Sequence, residues 1–406
     1  MKNIINLEFP LYIENFKCIG GSCNDSCCIG WDIDIDKITF KQYFKVKDQE
    51  LKRMFQKNIH NNEYATSDDV DYGKVKLGKD KRCPFLDGDN YCVIHSRLGE
   101  EYLSNVCTCY PRIMNKVDDH YEISLDVACP EAAKLILSRK EGIDFTRKET
   151  KLGKHIVSGY IDTKSKEVND SPVKYFNEIR KMSIDIIKNR KFDISERLYI
   201  LGDFLEGLQE EIYDDFDSVQ KYIKNYDIDL AYNLYEKNNM NYAIQIAFLK
   251  EMVEKLDVFK EVESEYFKKH TREMLDGFDF GEGEALMEKA EFYISTYESY
   301  IENVVNKNSY IFENYLVNFM YNNLFPFSES EFIFDGYMIL LFRYSLIRFY
   351  LVGKYLNNHN QSVEDIINFI QGFSKTIEHH KTYLVDVLYN IRKNEFDNIE
   401  FAKTLL

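Results

Sequence analysis

The chain has 406 residues, of which 45% are hydrophobic, 30% charged and 15% aromatic, with 30 Tyr and 29 Phe. That is the composition of a folded protein long enough for two or three domains, and it excludes disorder over most of the length. The 68 acidic side chains outnumber the 52 basic ones, for a net charge of −16; this argues against nucleic acid as a partner and suits basic or lysine-bearing ones.

The opening stretch, "MKNIINLEFPLYIENFKC", has no uninterrupted apolar run and no small-residue cleavage site. It predicts no signal peptide, and therefore a cytoplasmic protein with reduced thiols. Residues 18–31, "CIGGSCNDSCCIGW", hold four of the nine cysteines and the only tryptophan. "WDIDIDKITF" alternates as a strand, after which Asp36 is placed to cap a helix starting near Lys37. "CPFLDGDNYCVIH" predicts a short hairpin turning at Asp87–Asn90, and "SRLGEEYLSNVC" a short helix beginning after Ser96. "RIMNKVDDHYEISLDVAC" predicts a second hairpin turning at Asp118–Asp119, and "CPEAAKLILSRK" opens a helix with Pro130 at its first position.

Beyond residue 140 the character changes. All nine cysteines lie between Cys18 and Cys129, and four of the six prolines precede residue 131. Residues 141–170 are charged and are expected to form a linker or excursion. Residues 171–406 carry apolar side chains at three- and four-residue spacing, which predicts helices throughout, with Pro326 bounding one of them. The most apolar segment, "YMILLFRYSLIRFYLVG" at 337–353, is interrupted by Arg343 and Arg348. Charges there are costly in lipid, so a buried or partner-facing helix with inward charge pairing is expected. The predicted fold is mainly α, with a cysteine-rich α+β segment at residues 1–140 packed on an all-helical body at 171–406.

Nine cysteines in the first 129 residues and none in the remaining 277 point to a metal site. Buried apolar thiols account for one or two of them, and a disulfide framework conflicts with the size and the absence of a signal. Zinc and iron–sulfur both remain open. Structural zinc usually takes C-x-x-C pairs, and none occurs here. An iron–sulfur cluster takes four thiolates at variable spacing. Gly20, Gly21 and Gly30 allow the backbone to bend tightly around a bulky group, and Phe16 and Trp31 are placed to shield it. Cys129 precedes a helix start, which favours its thiolate. The radical-type C-x3-C-x2-C pattern fails, because its third position is Gly30.

The chain resembles the bacterial flagellin lysine N-methylase family. The resemblance runs through "FKCIGGSCNDSCCIGWDIDID", "CPFLDGDNYCVIHSRLGEEYLSNVCTCYPR" and "LDVACPEAAKLIL", roughly residues 12–140. It returns more weakly at "ENYLVNFMYNNLFPF", residues 313–327. The first segment also resembles a broader class of cysteine-rich zinc- or iron-chelating proteins. The resemblance implies a protein-lysine N-methyltransferase acting on flagellin, with S-adenosylmethionine as donor and an iron–sulfur cluster, 4Fe-4S above other types, in the cysteine-rich region. It places the family's cysteines at Cys18, Cys23, Cys27, Cys28, Cys83, Cys92, Cys107 and Cys129, and leaves Cys109 as an extra. Eight ligands exceed one cluster's four, so either two metal sites exist or half of these cysteines are structural.

Lysine methylation needs a neutral amine, and at pH 7 about one free lysine in 2,500 is neutral. Desolvation or a proton acceptor must supply the rest. No strand leads into a G-x-G-x-x-G turn; "FGEGEA" at 280–285 reads as a helix start. Arg112 and Tyr110 are the candidate cofactor-binding residues, for a carboxylate and as an aromatic slot respectively; a structural ion pair and plain packing are the alternatives. His95 is placed to ligate metal or simply to hydrogen-bond. Tyr315, Asn318 and Phe319 read as core, and no catalytic base is assigned. The rival to an enzyme is a metal-chelating or redox-sensing protein whose cluster governs binding to a partner.

Overall fold

The computed structural model describes residues 4–235, 242–278, 290–359, 361–378 and 380–406. The "FGEGEA" stretch at 280–285 lies outside them. The chain divides into two compact units: residues 1–132 with 144–160, and residues 133–143 with 161–406.

The first unit is built on two sheets. β1 (Ile4–Pro10), β5 (Arg112–Val117), β6 (His120–Leu125), β7 (Phe145–Lys151) and β8 (Val157–Ile161) form a five-stranded sheet in the order β7-β1-β6-β5-β8. β1 runs parallel to β6 and antiparallel to β7. β5 and β6 are the expected hairpin, with Asp118 at φ +50° in its two-residue turn. A short sheet in the order β2-β4-β3 joins β2 (Asp34–Ile35), β3 (Ile59–Asn61) and β4 (Gly73–Val75). Against it lie α1 (Lys37–Tyr43) and α2 (Gln49–Asn58). Asp36 caps α1 as predicted, its carboxylate accepting from Thr39 N–H at 2.9 Å. The core here is Tyr43, Leu51, Phe55, Phe85 and Ile94, with Cys83 buried among them and Cys28 and Cys92 packed against it.

Two expectations change. The stretch 93–109 is not one helix starting after Ser96. It is α3 (Val93–Leu98), a 3-10 turn at Glu100–Tyr102, and α4 (Asn105–Cys109). Gly99, at φ +95°, ends α3, and the Ser104 hydroxyl caps α4 by accepting from Cys107 N–H. Within the expected linker, 141–170, lie the strands β7 and β8.

The second unit is helical. α5 (Pro130–Leu137) starts in the first unit and ends in the second. It is followed by α6 (Phe176–Lys188), α7 (Ile194–Asp214), α8 (Val219–Asn225), α9 (Ile228–Leu234), α10 (Tyr242–Leu256), α11 (Val258–Glu261) and α12 (Glu265–Phe278). The run closes with α13 (Ala290–Tyr300), α14 (Ser309–Asn322), α15 (Ile333–Asn357), α16 (Val363–Phe373), α17 (Lys381–Lys393) and α18 (Ile399–Thr404). Pro326 falls between α14 and α15, as expected.

α15 is buried along residues 333–353 and packs on α12 and α7. Its two arginines are partnered inside the unit. Arg343 reaches Glu329 at 3.2 Å and lies over the Phe319 ring, and Arg348 donates to the carbonyls of Leu405 and Leu406. Among the described residues no helix is long and apolar enough to cross a membrane. In α14, Tyr315 and Phe319 are core, and the Tyr315 hydroxyl donates to Glu378 at 2.6 Å. Asn318 is buried beside them.

Candidate metal centre

The cysteines arrive at their site on short, irregular segments. Cys18 and Cys23 flank a 3-10 turn at Gly20–Ser22, with Gly20 at φ +54°. A side chain at Gly21 would strike the Asp89 carbonyl at 2.3 Å and the Tyr91 ring at 2.7 Å, so only glycine lets the 87–91 loop close over this turn. That loop is the expected hairpin in minimal form, a single bridge between Leu86 and Cys92 with Asn90 at φ +62°. The Cys83 N–H donates to the Cys28 carbonyl at 3.0 Å, which fixes the adjacent-cysteine turn to the 83–92 loop.

Eight cysteines line one cavity of about 350 Å³: Cys18, Cys23, Cys27, Cys28, Cys83, Cys92, Cys107 and Cys129. Cys109 is not among its lining residues; its sulfur lies 3.9 Å from the Lys154 carbonyl. Lys154 is itself anchored, its ammonium donating to the carbonyls of Glu101 and Leu103. All nine cysteines are free thiols.

Tyr110, Arg112, His95 and Phe16 also line the cavity. Trp31 backs Tyr110 edge-on at 5.1 Å, and the Arg112 guanidinium sits 5.2 Å over the Phe16 ring. Burial pushes the Tyr110 hydroxyl well above its ordinary pKa. Nothing in the sequence pattern singled out the lining carboxylates Asp25, Glu100 and Glu131; they become visible only once distant segments meet.

The sulfurs sit in a demanding electrostatic setting. Burial pushes Cys83 and Cys107 up to about 12 and Cys129 to about 11, and neighbouring thiolates add to each. Cys107 has accessible surface yet feels strong desolvation, so its exposure is to the cavity. Cys28 goes the other way, to about 7, because it accepts hydrogen bonds from the Cys27 thiol and from Ser26, with Arg82 nearby. Backbone N–H groups point at several sulfurs: Phe85 at Cys83, Ile94 and His95 at Cys92, Glu131 and Ala132 at Cys129. Eight thiols in one pocket repel one another once ionised. A multiply charged cation offsets that repulsion and draws off the protons.

The spacing of the sulfurs bears on which metal fits. Tetrahedral zinc, with Zn–S about 2.3 Å, would hold its four sulfurs only about 3.8 Å apart. Among the described residues no three cysteine sulfurs lie within 4.8 Å of one another. A polynuclear cluster spreads its ligands more widely, since each sulfur sits on a different iron. Eight thiols on separate segments are the donor type an iron–sulfur cluster takes.

One group of ligand side chains does lie within 4.8 Å, namely Glu8, His120 and Glu122 on the neighbouring strands β1 and β6. His120 Nε2 lies 3.3 Å from Glu122, and Arg147 on β7 pairs with Glu8 at 2.5 Å. The largely exposed Arg147 guanidinium already pairs with Glu8, so these side chains form a polar network of the sheet.

Residues 180–405 match the FliB lysine N-methylase C-terminal domain. The chain belongs to the FliB lysine N-methylase family. Membership makes it a protein-lysine N-methyltransferase by family. The match falls in the helical stretch, where the sequence alone shows one weaker resembling block, 313–327. "Flagellar biosynthetic protein FliU" of Salmonella muenchen is 34% identical over 151 residues, 37% of this chain and 87% of that protein. The "Lysine-N-methylase" proteins of Salmonella choleraesuis and Salmonella typhimurium are each 33% identical over 149 residues. Those matches span 36% of this chain and 36% of theirs, about a third of each relative's length. No solved structure matches the chain.

Proposed function

We propose that this FliB-family protein methylates the ε-amino groups of flagellin lysines, with S-adenosylmethionine as donor and an iron–sulfur cluster held by the cysteine-lined cavity. The family match over residues 180–405 carries the lysine-methylation reading. The relative named for flagellar biosynthesis supports a flagellar substrate, and the eight-thiol cavity supports the cluster.

In the transfer, the lysine nitrogen lone pair forms the N–CH3 bond as the donor's S–CH3 bond breaks. Neutral S-adenosylhomocysteine leaves, and the amine gives up one proton. When bound, the cluster supplies positive iron centres that neutralise the converged thiolates. The remaining tasks fall to the chain. Asp25, Glu100 and Glu131 on the cavity lining are placed to attract a lysine ammonium, Phe16 and Tyr110 restrict water, and Arg112 presents a guanidinium suited to a carboxylate.

Protein isolated without oxygen, incubated with methyl-labelled S-adenosylmethionine and flagellin, is expected to label flagellin lysines. Label absent from flagellin, from a preparation that retains its metal, contradicts the proposal.

A further inference from the structure

We infer that a groove on the helical unit, between α7, the start of α15 and the stretch joining α17 to α18, docks a lysine-bearing segment of the protein substrate. The inference rests on the reading of this chain as a methylase acting on flagellin.

The groove is built from three parts of the unit. Glu206, Gln209, Glu210 and Tyr213 recur at three- and four-residue spacing and so share one face of α7. With Phe332, Asp335, Arg392 and Asp397 they line about 390 Å³. Hydrogen bonds hold the walls. Ile333 N–H donates to Gln209 Oε1 at 3.0 Å, and Ile399 N–H donates to Glu206 Oε1 at 2.7 Å. Arg392 pairs with the buried Asp335, which also accepts from the Ser330 hydroxyl at 2.6 Å. The same guanidinium lies 4.9 Å over the Phe332 ring. These groups are engaged with one another, and the groove is formed before any ligand arrives.

The remaining groups face outward and share one chemistry. Among the described residues, the carboxylates of Glu210 and Asp397 make no hydrogen bond or ion pair. Beside them Tyr213 is 66% exposed and Phe332 39%. Arg392, the one base on the lining, is already matched by Asp335. A lysine side chain suits this combination, with its methylenes against the rings and its ammonium at the free carboxylates. An anion would meet uncompensated negative charge. The apolar surface also continues beyond the groove. Val385 and Tyr389 are 64% and 67% exposed, and they share a face of α17 with Arg392 three residues further on. A free amino acid would fill the groove alone; exposed apolar side chains running away from it fit a longer partner, a protein segment.

The test is calorimetric binding of full-length, anaerobically isolated protein to flagellin, native and with its lysines acetylated. Wild type is expected to bind the native form about tenfold more tightly than the acetylated one. Glu210→Gln/Asp397→Asn is expected to bind native flagellin about tenfold more weakly and to lose that preference. Val385→Ser/Tyr389→Ser should weaken both forms alike. All four positions are exposed, and circular dichroism confirms the fold of each variant. Unchanged binding of native flagellin by Glu210→Gln/Asp397→Asn overturns the inference. So does wild-type self-association that Val385→Ser/Tyr389→Ser abolishes, which would assign the surface to a second copy of the chain. The two readings fail separately. Flagellin that binds through the groove yet receives no methyl label contradicts methylation alone, and labelled flagellin whose KM is unmoved by Glu210→Gln/Asp397→Asn contradicts the groove alone.

Discussion

At the scale of single residues, two positions carry more than their size suggests. Gly21 has no room for a methyl group, because the Asp89 carbonyl occupies that space. Gly21→Ala must therefore push the 87–91 loop off the turn between Cys18 and Cys23. The expected cost is about 1–3 kcal/mol, together with reduced iron retention, measured by denaturant unfolding and metal analysis of the same sample. Glu313 in α14 binds two arginines, Arg190 through two 2.8 Å contacts and Arg197 through one. Arg197 is buried. Glu313→Gln leaves that guanidinium without its counter-charge, and the expected loss is about 3–5 kcal/mol of stability by urea unfolding. Within the resembling block 313–327, this residue thus serves the core, as do Tyr315 and Phe319.

At the scale of elements, the α12–α15 pair contains a pH-sensitive contact. Burial and the nearby Lys354 pull His270 down to about 4, against an upward pull from Glu273, which it meets at 3.0 Å. Its folded value lies below the ordinary 6.5 or so, so the histidine is neutral when folded at pH 7. The stability this contributes is complete above about pH 6.5 and is lost as pH falls toward 4. The difference is about 3 kcal/mol at most. His270→Gln is expected to flatten the fall of stability between pH 6.5 and pH 4, followed by thermal unfolding across that range.

Elements also show what the sequence makes legible. Asp36 as a cap, the Asp118–Asp119 turn and the Pro130 helix start are local signals, and each is present in the structure. β7, with the sequence FTRKETK, is nearly all polar, so no apolar alternation reveals it; it is held by full antiparallel pairing with β1. β1 pairs with β6 across more than a hundred residues, a contact that no local pattern encodes. The convergence of the cysteines is legible as a crowding of residue type, and the way their loops meet is not. That meeting depends on which segments the hydrogen bonds of Cys83 and Leu86 tie together.

At the scale of the molecule, every cysteine lies in the first unit, and the helical unit has its own apolar core. Loss of metal should therefore act locally. Chelation under anaerobic conditions is expected to reduce amide-exchange protection in residues 4–132 and 144–160 and to leave α7 and α15 protected. Uniform loss of protection across both units would contradict this division.

The central claim is that the cysteine-lined cavity, loaded with iron, belongs to the machinery that methylates lysine. It is tested most directly by assaying one anaerobic preparation before and after chelation, with circular dichroism confirming that the helices persist. The account predicts transfer of label from S-adenosylmethionine to flagellin lysines before iron removal and none after it. Equal transfer by the folded, iron-free protein would contradict it.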